Sequence, residues 1–304
     1  MRALRLLLVL FILPVFVLGQ AAKTTEPAKS AAAEKPAPSA ALAPSKATVE
    51  SFLKYMFSYD PNLHWEVLSI KPSESAHVSE VFVGLSNQEG KKQTMRFFVM
   101  PDQKWAIAGD MVDMMPFGAD PFADAKRELA AKAHGPSHGP ADAKIRMVEF
   151  SDLECPACKA AQPTIDHLLS DFPQAHFTFE NFPLESIHPW SFKAAQYADC
   201  VGREKPDAFW KFLEVAYQNQ ESVNLDNVDQ KMKEFATQAG ANAETVATCA
   251  AQPATAARVR ESIALGKAVD VGATPTLFVN GRRIQNVTGI PYDVLKQLVQ
   301  GTPE

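Results

Sequence analysis

The chain has 304 residues, 46% of them hydrophobic, with a formal net charge of −5 and a sequence pI near 5.9. That length suits about two domains, and the apolar content supplies cores without a disulfide scaffold. The acidic balance leaves no basic footprint of the kind nucleic-acid binding requires, so nucleic acid is set aside as a partner.

The chain opens MRALRLLLVLFILPVFVLGQ, with Arg2 and Arg5 ahead of an apolar core over residues 6–18, and Val17 and Gly19 at the −3 and −1 positions of a cleavage site. This is the pattern of a secretory signal peptide over residues 1–19. An uncleaved membrane anchor is the alternative, but the core is shorter than the ~20 residues a spanning helix needs. Export predicts a periplasmic or otherwise extracytoplasmic location, where disulfides form and persist. Residues 20–47 are rich in Ala, Pro, Ser and Lys. They cannot bury enough apolar surface to offset ordering, which predicts a disordered linker.

Residues 48–115 predict a small α+β domain. TVESFLKYMF puts Val49, Phe52, Leu53 and Met56 on one helical face, with Thr48 or Ser51 as its cap. HWEVLSIKPS, HVSEVFVGLS, TMRFFVM and WAIAGDMV read as short strands of an antiparallel sheet. Met111, Met114 and Met115 are soft ligands that suit Cu(I), but methionine at a domain edge is more often packing. Residues 116–143 predict a linker, with His134 and His138 in plain loop.

From residue 144 the pattern changes. A strand, KIRMVEF, runs into Cys155-Pro156-Ala157-Cys158, followed by a helix over residues 156–170. A strand in HFTFENFP and helical segments over 190–218, 224–240 and 243–268 come next. Two strand-like runs then meet at Asn280-Gly281, a strong hairpin signal, and a helix over 291–301 closes the chain. This order predicts an α/β protein, a thioredoxin fold with a helical insertion.

The cysteine pair has three readings. A structural zinc site needs four ligands, commonly in two close pairs, and the chain holds only one close pair, with no ligand-spaced partner for His188. A structural disulfide across two residues closes a very small loop and restricts the unfolded chain little. The redox reading has positive support, because Cys155 falls where a strand gives way to a helix. There unpaired N–H groups and the macrodipole stabilise a thiolate, and Pro156 suits the first turn.

On VEFSDLECPACK and VGATPTLFVNG, the segment from Lys144 onward resembles the DsbA-like family of thiol-disulfide oxidoreductases within the thioredoxin superfamily. The resemblance covers roughly half the chain. It implies Cys155 as the exposed nucleophile and Cys158 as the buried resolving thiol. It also implies Pro275 as a cis-proline, with Thr274 before it facing the disulfide and docking an extended substrate. Glu149 would be a buried acid under the site; burial would raise its pKa and suit it to proton transfer with Cys158. One departure is Ala157, where well-known DsbA oxidants carry His, which puts strong oxidising power in doubt.

Cys200 and Cys249 fall inside the helical insertion and most simply form one structural disulfide, with two buried free thiols or a second redox role as alternatives. Residues 48–115 weakly resemble the dimerisation domain of the DsbC and DsbG isomerases, which implies a homodimer, with strands such as TMRFFVM extending a sheet across a two-fold axis. The expected activity is disulfide exchange with exported protein substrates and a membrane redox partner. It needs no cofactor and no metal. A non-catalytic periplasmic chaperone or binding protein and a metal-handling protein are the competing classes.

Overall fold

The computed structural model describes residues 43–303 except 76 and 109–113. The expected signal peptide, most of the 20–47 linker and Met111 lie outside the described residues. Helix α1 (Lys46–Phe57) is capped by Ser45, whose side chain accepts from the Thr48 N–H at 3.0 Å. The cap is therefore Ser45, neither Thr48 nor Ser51, and the helix takes in the last residues of the expected linker. Val49, Phe52 and Leu53 are buried along one face as their spacing predicts.

That face packs on a five-stranded antiparallel sheet in the order β1 (His64–Pro72), β2 (Ser79–Ser86), β3 (Lys92–Val99), β4 (Trp105–Ala108) and β5 (Met114–Pro116). Strand β5 takes up the methionine cluster: Met115 packs against the small core, while Met114 is exposed. The expectation that TMRFFVM extends a sheet across a two-fold axis is not met. Strand β3 is paired along its whole length by β2 and over Phe97–Val99 by β4, and the outer strands of the sheet are β1 and β5.

Residues 116–143 are not simply a linker. They hold helix α2 (Ala123–Lys132) and strand β6 (Ser137–His138), which pairs antiparallel with β8 (His176–Asn181). His138 sits in that strand with its ring 5.1 Å from Trp210 and 5.8 Å from Phe177, and the His134 N–H donates to buried Glu180. His138 is therefore not in plain loop, while His134 lies in the loop between α2 and β6 as expected.

The second sheet has the order β10 (Arg282–Gln285), β9 (Thr276–Val279), β7 (Arg146–Ser151), β8, β6. Central strand β7 runs parallel to β8 and antiparallel to β9. A parallel neighbour requires a crossover, and helix α3 (Pro156–Asp171) supplies it. Strand β7 is buried from Met147 to Ser151, so its residues alternate between two cores. Met147 faces a large cluster with the insertion helices, while Val148 and Phe150 face Leu129, Phe182, Leu265 and Phe278.

The insertion comprises α4 (Ser191–Glu204), α5 (Pro206–Gln218), α6 (Val228–Gln238), α7 (Ala243–Ala250) and α8 (Pro253–Ala268). The helical stretches 190–218 and 243–268 each divide where a proline opens the next helix, Pro206 and Pro253, at the position where its missing N–H costs nothing. Asn280 and Gly281 both take positive φ, 45° and 79°, making the tight β9–β10 turn. Helix α9 (Tyr292–Gly301) ends the described chain. Among the described residues no helix is long and apolar enough to cross a membrane.

Candidate active site

Ser151 ends β7, residues 152–154 turn, and Cys155 is the N-cap of α3 with extended φ and ψ of −75° and 120°. The sulfur therefore sits where the first N–H groups of the helix lack intrahelical acceptors. Pro156 occupies the first turn as expected. The N-cap thiol makes no cap hydrogen bond of ordinary geometry.

The expectation of an exposed Cys155 needs correction. The residue is 6% exposed and Cys158 is 1% exposed, so the pair differs in degree of burial only. Thr274 closes over it: the Cys155 thiol is 3.5 Å from the Thr274 carbonyl oxygen, and the Thr274–Pro275 bond is cis. The Thr274 carbonyl thus faces the thiol directly.

The two thiols have opposed titrations. The Cys158 thiol, as the strongest influence, lowers the pKa of Cys155 to about 5 by donating to its thiolate, against burial and with help from the Thr274 side chain and then the backbone N–H groups of Cys158 and Ala157. Cys158 is pushed well above the usual thiol range, chiefly by burial and by its donation to Cys155. The missing histidine at position 157 therefore does not leave Cys155 an ordinary thiol. Its stabilising donors are the partner cysteine, the Thr274 side chain and backbone N–H groups, none of which depends on the side chain at 157.

Glu149 lies on β7, 1% exposed, with Oε2 buried and without a hydrogen-bond partner. Burial raises its pKa to about 7. A carboxyl held near neutrality can take and return a proton at physiological pH.

Four further residues, Ser151, Asp152, Tyr217 and Gln220, were not legible in the sequence. Asp152, 1% exposed, accepts from the N–H groups of Glu154 and Leu184 and contacts His188 Nδ1, all at 2.8 Å, while its own N–H points at Cys158 Sγ at 3.4 Å. It fastens the cysteine turn to the loop after β8 and gives His188 a partner that spacing alone did not suggest. The Ser151 hydroxyl is 2.9 Å from the Tyr217 hydroxyl, and the Gln220 side chain donates to the Leu153 carbonyl at 2.8 Å. Both Tyr217 and Gln220 come from the insertion, far along the chain. Only the i, i+2 spacing of Glu149 and Ser151 on one strand face could have signalled any of this.

Cys200 and Cys249 form a disulfide, with Cα atoms 5.9 Å apart, joining α4 to α7. Cys155 and Cys158 carry free thiols. A cavity of about 250 Å³ lined by residues such as Lys126, Leu129, Arg146 and Thr178 contains none of the expected site residues.

Residues 132–300 match the family model described as thioredoxin, and the chain belongs to that family. The match leaves the N-terminal helix and sheet outside it. Disulfide bond formation protein D of Bacillus subtilis is 28% identical over 180 residues, 54% of this chain and 75% of that protein. The Na(+)/H(+) antiporter NhaA 1 of Salinispora arenicola is 31% identical over 157 residues, 48% of this chain and 21% of its own length. The chain thus spans about a fifth of the length of the antiporter relatives it matches. Among solved structures, the thiol-disulfide exchange protein alpha-DsbA2 of Wolbachia pipientis superposes with a TM-score of 0.50 at 19% identity, over 59% of this chain and 96% of that one. This is a likeness of fold. Oxidised BdbD from Bacillus subtilis gives a TM-score of 0.48 at 28% identity, over 55% of this chain and 91% of that one.

Proposed function

We propose that the protein is an exported thiol-disulfide oxidoreductase that exchanges disulfides with protein substrates through Cys155 and Cys158. The observation that carries this is the opposed titration of two thiols one helical turn apart: one is a ready thiolate, the other keeps its proton until needed. In the oxidising direction a substrate thiolate attacks Cys155 Sγ, Cys158 leaves with the electron pair, and a second substrate thiol resolves the mixed disulfide. Reduction runs the same steps from the Cys155 thiolate. A stabilised thiolate is a good leaving group, which favours release of substrate in its oxidised form. Glu149 is the proton acceptor and donor for Cys158, and Thr274 with Pro275 lines the place where an extended substrate docks. A membrane redox partner would restore the pair after each turnover, in keeping with the relative named for disulfide bond formation.

The test is equilibration of the purified protein in graded glutathione buffers, with acid quench and thiol labelling. The expected result is reversible conversion of Cys155 and Cys158 between disulfide and dithiol, and turnover of an insulin disulfide. A pair that stays reduced throughout while the protein still binds unfolded chains would replace this reading with a chaperone. Stoichiometric copper or zinc that blocks labelling would replace it with a metal-handling protein.

Self-association through the N-terminal segment is part of the same reading. Since β3 is interior, edge pairing would use β1, a nine-residue edge strand. Light scattering of the full chain is expected to give a homodimer that becomes monomeric when residues 1–120 are removed. A full-length monomer at tens of micromolar would remove the dimer, and with it the basis for isomerase activity.

A further inference from the structure

Cys158 and Glu149 are each 1% exposed, so a proton passing between them must cross protein interior. Ser151 is the hydroxyl residue of the strand that carries Glu149. It is two residues beyond Glu149 on β7 and so projects from the same face of the sheet. It is itself fully buried, and it is the last strand residue before the cysteine turn. Its hydroxyl is 2.9 Å from the Tyr217 hydroxyl, and Tyr217, on α5, is 3% exposed. In such a pair one hydroxyl donates to the other, and the O–H that remains is free to donate onward. Glu149 Oε2, buried and without a partner, supplies an open acceptor on the same face.

We infer that the Ser151 hydroxyl, held in place by the Tyr217 hydroxyl, carries the proton between Cys158 and Glu149 when a mixed disulfide at Cys155 is resolved. This rests on the exchange reading proposed above. The Cys158 thiol gives its proton to Ser151 Oγ as the Ser151 proton passes to the Glu149 carboxylate. The Cys158 thiolate attacks Cys155 Sγ, the bond to the substrate sulfur breaks, and the substrate thiolate leaves with the electron pair. Nothing is lost: the Cys155–Cys158 bond replaces the mixed disulfide, and the proton ends on Glu149. In the opposite direction Glu149 returns it. Tyr217 is a positioning residue that donates to Ser151 Oγ and orients the hydroxyl.

The titrations agree with this placement. The Ser151 hydroxyl lowers the pKa of both Glu149 and Cys158, so one side chain acts on both ends of the path. Burial drives the Tyr217 hydroxyl well above the usual tyrosine range, so it keeps its proton and stays a donor. The groups facing Glu149 are Ser151 on its own strand, Asp166 on α3 and Tyr217 on α5, and Tyr217 faces Cys158 as well. Asp166 raises the Glu149 pKa further, and burial is the larger cause.

The test follows closure of a glutathione adduct on Cys155 to the Cys155–Cys158 disulfide, by acid quench and mass spectrometry from roughly pH 5 to 8. The native protein should show closure that accelerates as a group near pH 7 ionises. Ser151→Ala should slow closure roughly 10- to 100-fold at neutral pH and remove that inflection, while Ser151→Thr, which keeps the hydroxyl, should restore both. Tyr217→Phe should slow closure less, roughly 3- to 10-fold, through loss of the orienting donor. Combining Ser151→Ala with Glu149→Gln should be no slower than the slower single variant, because both interrupt one path. Native-like closure in Ser151→Ala, or failure of Thr to restore it, overturns the relay while leaving the exchange reading in place. An adduct that never closes in the native protein overturns the exchange reading and the relay together.

Discussion

Replacing Cys155 by alanine is expected to abolish disulfide exchange, whereas Cys158→Ala is expected to leave Cys155 able to attack, at a pKa raised by loss of its strongest stabilising donor, and to accumulate a mixed disulfide at Cys155. The asymmetry follows from the titrations: Cys155 falls to about 5 while Cys158 rises above the ordinary thiol range. At about pH 6 the first is almost wholly thiolate and the second at most about 0.1% ionised, so an alkylating reagent should label Cys155 ~10²–10³ times faster. The 6% exposure of Cys155 slows its labelling in absolute terms, but Cys158 at 1% is slowed at least as much. Equal labelling rates, or exchange that survives loss of Cys155, would overturn the assignment.

The same titrations make stability depend on pH and on redox state in opposite ways. The folded pKa of Cys155 lies below that of a free thiol, ~8.5. The thiolate therefore stabilises the reduced fold increasingly from about pH 5 to about pH 8.5, and the contribution disappears as pH falls through 5. At pH 7 it amounts to about 3 kcal/mol at ~1.4 kcal/mol per unit. Glu149 has the opposite sign, because its folded pKa of about 7 lies above its ordinary value of 4.5. Its contribution is full below pH 4.5, and about 3 kcal/mol is lost as pH rises to 7. The oxidised protein, lacking the thiolate, should lose stability over this range, while the reduced protein stays nearly level. Urea denaturation of both forms at several pH values measures the gap, which should widen with pH. A gap that is constant between about pH 5 and 8 would mean that Cys155 titrates as an ordinary thiol.

The cysteine pair and its helix were legible in the sequence because their geometry is local: a strand, a three-residue turn and a proline-started helix are fixed by adjacent residues. The titration of Cys155 was harder to read, since attention falls on position 157 while the stabilising donors are the partner thiol, the Thr274 side chain and backbone N–H groups. Burial of Cys155 was missed for a different reason. The Thr274 carbonyl that covers it arrives from 119 residues away. Tyr217 and Gln220 meet the site only because the insertion packs back on the cysteine turn, a tertiary contact with no local pattern.

The fold shows the same division. The small sheet, the hairpin at Asn280-Gly281 and the closing helix followed from alternation, turn chemistry and amphipathic spacing. The stretch 116–143 misled because Gly and Pro there look like punctuation. Gly135 is instead a packing residue: a Cβ on it would lie 1.8 Å from the Phe179 carbonyl oxygen. The chain must pass that close to β8 for β6 to pair with it, so the composition of a linker here marks close approach. Arg282 shows the converse. An arginine in a hairpin reads as a surface charge, yet its guanidinium donates to the Tyr55 and Met56 carbonyls at the end of α1 and lies over the Tyr59 and Phe122 rings.

Removing the Cys200–Cys249 bridge by a double alanine substitution is expected to cost about 4 kcal/mol of stability. The bridge spans 49 residues of sequence, and closing a loop of that size restricts the unfolded chain by about that amount. For a folded unit of this size the loss corresponds to a fall of roughly 8–16 °C in Tm, measured by calorimetry on the otherwise native chain. The bridge ties α4 to α7, and neither cysteine of it is among the groups that shift the Cys155 titration, so the Cys155 labelling rate in the folded variant should be close to native. Under mild reductant the two pairs should separate. A thiolate-stabilised disulfide between Cys155 and Cys158 is readily reduced, while Cys200, 1% exposed and within α4, is shielded from attack. Mass mapping should therefore find Cys155 and Cys158 labelled while Cys200 and Cys249 remain joined. Simultaneous opening of both pairs, or a Tm unchanged by the double substitution, would mean that the insertion holds together by packing alone and that its cysteines take part in exchange.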